Sequence, residues 1–465
     1  LSHAAPTLPF QFMHVTDGLP TPRKYWALAA TLLGMAMTVL EATITNIALP
    51  TIARDLAILP AQAVWIVNAY QLAIVVGLLP CSSLGEIYGY RRVFAVGMAL
   101  FTAASAGCAM AGSFDVLIGF RLLQGLGAAA TMSVTPALLR FIYSQKQFGR
   151  AIGFNALVVA CSSAAGPVIG SLILSVASWP WLFAVNVPIG IAILAFGVKH
   201  QPVTELARRA FDWLSALLSA LFFGLLIYGV DHLLSNVGTA MITLAASAVA
   251  GFLLIRRELP RAVPLLPLDL LRIRVFAFSI GASVCAFSAQ TAAFISLPFY
   301  FQQAMGRSQL ETGLLIMPWP LAVAIAAPVS GRVSEMISPS VLCSIGTALL
   351  GLSLTTLILL PASVPNGLLM GCMAVAGAGF GMFQTPNNRV MLTAAPRARS
   401  GGAGGLQATA RQFGMAWGAA LTALAFTALP SHGPTGALTL AVVFTIASSI
   451  VSAARKGGKL RAPAG

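Results

Sequence analysis

Charge is what this chain has least of. Only 8% of its 465 residues are charged, and twelve acids stand against twenty-seven bases. A soluble protein of this length needs a charged surface, and this composition cannot furnish one. The net charge of +15 is spread in small groups between apolar runs, not gathered in a stripe or tail, which argues against a nucleic-acid partner. Cysteine is also sparse. Cys81, Cys108, Cys161, Cys285, Cys343 and Cys372 all fall in apolar runs and read as small packing residues, not as a disulfide framework or metal cluster. None of the five histidines (His3, His14, His200, His232, His432) lies within such a run, so neither a histidine proton relay nor a metal site is expected. No G-x-x-x-x-G-K-[ST] loop occurs, nor any polar stretch long enough for an ATP-binding domain. The closest imitation, "GAGFG" at 377–381, is embedded in an apolar run, where glycines serve close helix packing. No cofactor and no enzymatic activity are expected. Residues 1–20 show neither a basic n-region nor an apolar h-region, so a signal peptide is not expected. The chain begins at Leu1, which leaves an alternative start codon or Met13 as the initiator.

What is abundant is apolar sequence, 58% of the chain. Runs of about 20 residues recur throughout, the length a helix needs to cross a ~30 Å hydrocarbon core. Backbone groups in lipid must be satisfied within each segment, so these runs should be helices, and they are too long for barrel strands. Fourteen spans are expected: 25–48, 62–83, 93–113, 116–138, 151–174, 181–198, 212–231, 237–255, 276–300, 312–331, 339–361, 365–388, 402–428 and 434–453. With the N-terminus inside, the inner segments hold 23 bases and the outer loops only Arg54 and Arg307. That asymmetry predicts both termini on the cytoplasmic side. A layout repeats as well. Leu49 to Gly85 and Leu297 to Gly331 each run from Leu-Pro at the outer end of a span to Gly and an acid at an inner end. The expected fold is an all-α polytopic membrane protein of two parallel six-helix repeats, 25–198 and 276–453, with an inserted hairpin at 212–255. The flanking segments are 1–24, a linker at 256–275 and a basic tail at 454–465. Two such halves with a site between them near the midplane is a transporter plan.

Charge inside the spans is the next signal. Glu41, in "LEATITNIALP" (40–50), is the one acid deep within a span, and Arg121 and Gln124 sit one turn apart in span 4. Ionisable residues in lipid are costly unless paired or wet, so each is a functional candidate. At 1.5 Å per residue Glu41 lies ~24 Å from the inner end of its span and Arg121 about 8–10 Å from the outer end of its own, so a pair is permitted. The alternatives are a lumen-facing Glu with a solvation role and an Arg satisfied by backbone carbonyls. Span 5 carries Gly166, Pro167 and Gly170, which permit close packing and a bend, or serve as ordinary small-residue contacts. The inner loop "SSLGEIYGYRRVF" (82–94) contains Glu86, Gly89, Arg91 and Arg92. It reads as a charge-assisted latch between helix ends or as a tight turn with positive-inside anchors.

These segments resemble the major facilitator superfamily. Leu84, Glu86, Gly89, Arg91 and Arg92 fit the Gly-x-Leu-x-Asp-Arg-x-Gly-Arg-Arg signature, with Ser82, Ile87 and Tyr90 departing from it. "RLLQG" resembles the R-x-x-Q-G element, and "AAGPVIGSLI" the G-x-x-x-G-P-x-x-G-G element of exporters, with Ser162 and Ser171 in place of glycine. "LEATITNIALP" resembles the Leu-Asp-x-Thr-Ile-Val-Asn-x-Ala-Leu-Pro segment of the fourteen-span drug:proton antiporters, Glu41 taking the Asp position. "FAVNVPIGI", "LLPLDLLRIRVF", "GFGMFQTPNNRVML" and "ARQFGMAWGAAL" extend the likeness over most of the chain, and the exporters of quaternary-ammonium and viologen-type compounds are the most similar subgroup. The resemblance implies proton coupling through Glu41 and Arg121, a latch at Glu86, Gly89, Arg91 and Arg92, and an antiporter hinge at Gly166, Pro167 and Gly170. It implies a monomer in the bacterial inner membrane exporting amphipathic, cationic organic compounds (multidrug efflux and antibiotic resistance), driven by the proton gradient. The candidate cavity lining is Asn46, Tyr70, Gln71, Gln124, Asn155, Gln290, Trp319, Gln384, Asn387, Asn388 and Arg411, with Asn68 beside them. Amides and ring faces suit amphipathic molecules, though one acid against two arginines does not by itself demand a cation. The rivals are an exporter of an endogenous metabolite or lipid-like product and a non-transporting membrane sensor or scaffold.

Overall fold

The computed structural model describes residues 18–455 except 145–146, 205, 208–209, 262–265, 267 and 396–399. Met13, most of the expected segment 1–24, parts of the linker, several inner-loop bases (Lys146, Arg208, Arg209, Arg397, Arg399) and the tail from 456 lie outside the described residues. The chain is all-α. The helices are α1 (Arg23–Asp55), α2 (Pro60–Tyr88), α3 (Tyr90–Ala109), α4 (Phe114–Ile142) and α5 (Phe148–Val176). They continue with α6 (Pro180–His200), α7 (Trp213–Asp231), α8 (Val237–Glu258), α9 (Arg274–Ala304) and α10 (Gln309–Val333), then α11 (Pro339–Leu359), α12 (Asn366–Ala394), α13 (Ser400–Ala428) and α14 (Gly433–Ala454).

Thirteen helices among the described residues are long and apolar enough to cross a membrane. The run expected at 402–428 does form a helix, α13, but it is not one of the thirteen. Its first half, "SGGAGGLQATARQF", replaces aliphatic side chains with glycine, amides and an arginine. Helices also outrun the apolar stretches that announce them. α1 continues through Pro50 to Asp55, and α2 through Pro80 to Tyr88. The expected loop at 84–92 therefore shrinks to Gly89 alone, whose φ of +97° is open to glycine at no steric cost.

Three helices depart from regular α geometry. α6 tightens and widens through a π-turn at Ile193–Gly197 and a short 3-10 turn. α9 ends in a π-turn at Tyr300–Ala304. α10 is interrupted at Met317, ahead of Pro318, whose missing N–H cannot continue the ladder. Polar caps hold the ends: Asp212 accepts from Ser215 N at 3.3 Å, Asn236 from Thr239 N at 3.0 Å, and Ser308 with Glu311 forms a capping box.

Packing follows chain order. α2 and α3 pack on α4, α1 on α5, and α3 on α6. α7 pairs with α8. α10 and α11 pack on α12, and α9 and α11 on α14. Contacts between the early and late helices run through α2 with α13, α5 with α10, and α1 with α9. Glycines set these distances. A Cβ on Gly377 would overlap the Trp319 carbonyl, and one on Gly379 the Gly346 carbonyl, so "GAGFG" brings α12 against α10 and α11. One apolar cluster joins Ile44, Ala48, Leu49 and Ile52 of α1 to Ile295 and Phe299 of α9 and Phe426 of α13. Beside it, Gln309 Nε2 donates to Thr51 Oγ1 at 2.8 Å, tying α10 to α1. The six cysteines are all free thiols.

Candidate functional site

The site begins with helix contacts that only small residues allow. On α4, Gly125 abuts the Tyr70 carbonyl of α2, and Gly127 abuts the backbone of Phe101 on α3. Arg121 is one turn before Gly125, on the same face, so this close approach carries its guanidinium into the packed interior. α1 is held alongside by Gly34, which receives Phe94 and Met98 of α3. Glu41 and Arg121 meet there, 1% and 0% exposed, with Arg121 Nη1 at 2.6 Å from Glu41 Oε1.

Both charges are further satisfied by neutral groups. Glu41 Oε2 accepts from Asn186 Nδ2 at 2.6 Å, and Oε1 also accepts from Thr45 Oγ1 at 3.1 Å. Arg121 Nε donates to the Ile66 carbonyl at 2.9 Å, and Nη1 to Gln124 Oε1 at 2.6 Å. Gln124 Nε2 in turn donates to Ser105 Oγ at 2.8 Å. The guanidinium carbon lies 4.4 Å from the centre of the Tyr70 ring and 5.6 Å from that of Phe183, a cation–π setting. Tyr70 is fixed by its hydroxyl, which donates to the Thr38 carbonyl at 2.9 Å. Arg121 Nη2 has no hydrogen-bond partner among the described residues.

Such a pair is held by mutual attraction against a desolvation cost of several kcal/mol per ion. Removing either charge leaves the other uncompensated. A proton on Glu41 would do this reversibly, and Arg121 would then keep only the Ile66 carbonyl, Gln124 and two ring faces.

The expected hinge residues stand next to the pair. A Cβ on Gly166 would overlap the Thr43 hydroxyl, and one on Gly170 would lie 3.2 Å from Ile44; both neighbours are within three residues of Glu41. The adjacent face of α5, about 100° round the helix, meets α10, where Gly313 abuts Ser171 and the Pro167 carbonyl. The expected latch residues are elsewhere, at the α2–α3 junction. Glu86 ends α2, Arg91 and Arg92 open α3, and the segment after α6 crosses them, with Ala207 N donating to the Glu86 carbonyl at 2.8 Å.

The expected cavity residues are dispersed. Tyr70 and Gln124 belong to the ion-pair network. Trp319 is fully buried against Phe294, ring centres 5.0 Å apart, and Asn387 is fully buried in a separate polar cluster. Asn46 and Gln71 are buried and Asn155 half-buried, each with an unpartnered oxygen, whereas Gln290, Gln384, Asn388 and Arg411 keep accessible surface.

Three features went unassigned in the sequence. Asn186 was visible as an amide in an apolar run, which is itself a signal. Ser105 and Thr45 gave none, since hydroxyls in spans usually bond their own helix. Arg455, counted with the tail, is 5% exposed. It donates from Nη1 to Asn387 Oδ1 at 2.7 Å and Ser279 Oγ at 2.8 Å, and from Nε to Ser340 Oγ at 3.2 Å. No group of three or more His, Cys, Asp or Glu side chains able to hold a metal occurs among the described residues.

Comparison with known proteins bears on this geometry. The chain is 45% identical over 443 residues to "Uncharacterized transporter YebQ" of Escherichia coli (strain K12), covering 94% of this chain and 97% of that protein. It is 31% identical over 401 residues to "Riboflavin transporter RibZ" of Clostridioides difficile (strain 630), covering 86% and 87%. With "Tetracenomycin C resistance and export protein" of Streptomyces glaucescens it shares 33% identity over 410 residues, covering 86% and 75%. These likenesses and the helical architecture mark a multi-pass bacterial membrane protein that transports small organic solutes and is not an enzyme. Residues 31–419 match the family described as Major Facilitator Superfamily, and the chain belongs to that superfamily.

Proposed function

We propose that the protein is a proton-coupled antiporter of the bacterial inner membrane that exports amphipathic organic compounds by alternating access. The observation that carries this reading is the Glu41–Arg121 pair, a buried titratable acid bonded to a cation and two neutral donors. Helices α1–α6 and α9–α14 form two six-helix halves, with α7–α8 inserted between them and both termini cytoplasmic. The protein works as a monomer, without ATP.

A proton reaching Glu41 from the outer side weakens its hold on Arg121. Because α5 is wedged between α1 and α10, the α1–α5 contact beside Glu41 is where that change alters how the halves meet. Gly166, Pro167 and Gly170 permit the movement, and Glu86, Gly89, Arg91 and Arg92 latch the inner end. Solute and proton then favour opposite conformations, which is the linkage antiport requires.

The names of two relatives, a tetracenomycin C resistance and export protein and a riboflavin transporter, support small organic cargo of different kinds. A cationic cargo held by a carboxylate within the spans would need Glu41 to be free for it. Here that carboxylate is committed to Arg121, Asn186 and Thr45; the cargo of this multidrug exporter is therefore selected for charge by the cavity residues. The test is purified protein in proteoliposomes with an imposed pH gradient. The parent accumulates an amphipathic dye against its gradient. Glu41→Gln loses the accumulation yet still equilibrates the dye. Full pH-driven accumulation by Glu41→Gln would refute the proposal.

A further inference from the structure

We propose that Arg411 is the recognition group for an acidic substituent on the transported molecule, so that the cargo class is amphipathic organic anions. This rests on the transporter reading above but not on its proton coupling.

Arg411 stands 11 residues into the 29-residue helix α13, near its middle. Its place on the helix follows from its neighbours. Gly414 abuts the Val284 carbonyl and Gly418 the Ser288 carbonyl, so one side of α13 is pressed on α9. Gly405 approaches Leu79 of α2, with 3.4 Å to a Cβ built there. At about 100° per residue, Arg411 projects between these contacts, about 20–60° from the α9 side and about 120° from the α2 side. Gln407 and Gly404 share that stripe, and a Cβ on Gly404 would meet nothing within 4 Å. The stripe therefore lies in the sector between α9 and α2, and borders open space at the level of Gly404. Consistently, Arg411 and Gln407 keep accessible surface although their helix is packed on α2, α7, α9 and α14.

No hydrogen bond or ion pair engages Arg411 among the described residues. The acids on the helices packed against α13 are too distant to neutralise it. α9 and α14 carry none. On α7, Asp212 and Asp231 stand at the two ends. On α2 the only acid is Glu86. Since α2 runs antiparallel to α13 and Leu79 is level with Gly405, Glu86 is about 20 Å further along the axis than Arg411. Glu41 is already held by Arg121.

The same register sets amides near the level of the cation. Gln71 falls at the level of residue 413, about 3 Å from that of Arg411. It projects between the α2 face that meets α13 and the face that meets α1. Gln71 is 2% exposed with Oε1 unpartnered, and Asn68, one turn outward, is 0% exposed with both amide atoms unpartnered. The guanidinium of Arg411 is unpaired and accessible, and buried amides without partners are costly unless a ligand completes them. A carboxylate does so, since it accepts from both the guanidinium and amide N–H groups.

The test uses two xanthene dyes with the same ring system: fluorescein, which carries a carboxylate, and a cationic rhodamine ester. Binding to the full chain in detergent is read by fluorescence anisotropy, with Arg411→Gln and Arg411→Lys alongside the parent and monodispersity confirming folding. The parent binds fluorescein more tightly than the rhodamine. Arg411→Gln lowers fluorescein affinity about 10- to 100-fold, the size of a lost charge-assisted hydrogen bond, and leaves rhodamine binding unchanged or improved. Arg411→Lys restores part of the loss. Fluorescein binding that is indifferent to Arg411→Gln, an equal loss for both dyes, preference for the rhodamine, or no binding of either dye by the parent would overturn the inference. Arg411-dependent fluorescein binding without pH-driven flux in vesicles would instead sink the coupling reading and leave this one standing.

Discussion

Replacing each member of the Glu41–Arg121 pair singly and together separates a buried ion pair from an ordinary polar contact. Arg121→Gln leaves Glu41 with only Asn186 and Thr45 as donors. A buried carboxylate so stranded costs about 3–5 kcal/mol. Glu41→Gln is milder, because Arg121 keeps the Ile66 carbonyl and Gln124 and a glutamine oxygen can still accept; about 2–3 kcal/mol is expected. In the double variant neither charge remains, so the second substitution costs little. A coupling of about 2–3 kcal/mol follows. Neutral interhelical hydrogen bonds in membranes average only about 0.6 kcal/mol in such cycles, which makes the two cases distinguishable. Reversible unfolding in mixed detergent micelles, with all four proteins at one pH, provides the assay. Additive single effects, or a coupling near the neutral value, would mean that the pair is not held by charge.

Two further substitutions probe the packing that positions the site. Gly166→Ala should destabilise by about 1–3 kcal/mol, because the new methyl meets Thr43. Adding Thr43→Ala should recover only part of that loss in a thermal unfolding series: it removes the clashing hydroxyl, which serves only carbonyls of its own helix, but keeps a Cβ 2.7 Å from the new methyl. Arg455→Met should cost about 1–3 kcal/mol, less than Arg121→Gln, because its bonds to Asn387, Ser279 and Ser340 strand no charge when lost; the same unfolding assay ranks the two.

The helices were legible because lipid requires about 20 apolar residues for each crossing. Their ends were not. α1 and α2 continue past the apolar stretch, since hydropathy marks where lipid stops and not where backbone bonding must. For the same reason the segment around Glu86 read as a loop when Gly89 alone leaves the helix. The break at Met317 and the two π-turns gave no hydropathy signal. At the site, the cost of charge in lipid points to Glu41 and Arg121 from the sequence itself. Side-chain commitments were harder to read. Asn387 and Trp319 share residue types with the cavity candidates, yet packing buries both. Arg455 resembled a tail charge because its burial depends on where Ser340 and Asn387 come from, over 60 residues away in sequence.

Whether Glu41 carries the exchanged proton is read most directly by recording proton and solute movement together, in proteoliposomes loaded with a pH-sensitive dye and given a solute gradient. In the parent, solute moving one way drives protons the other way. In Glu41→Gln the solute still equilibrates and the internal pH stays flat. Undiminished proton counterflow in Glu41→Gln would contradict the assignment.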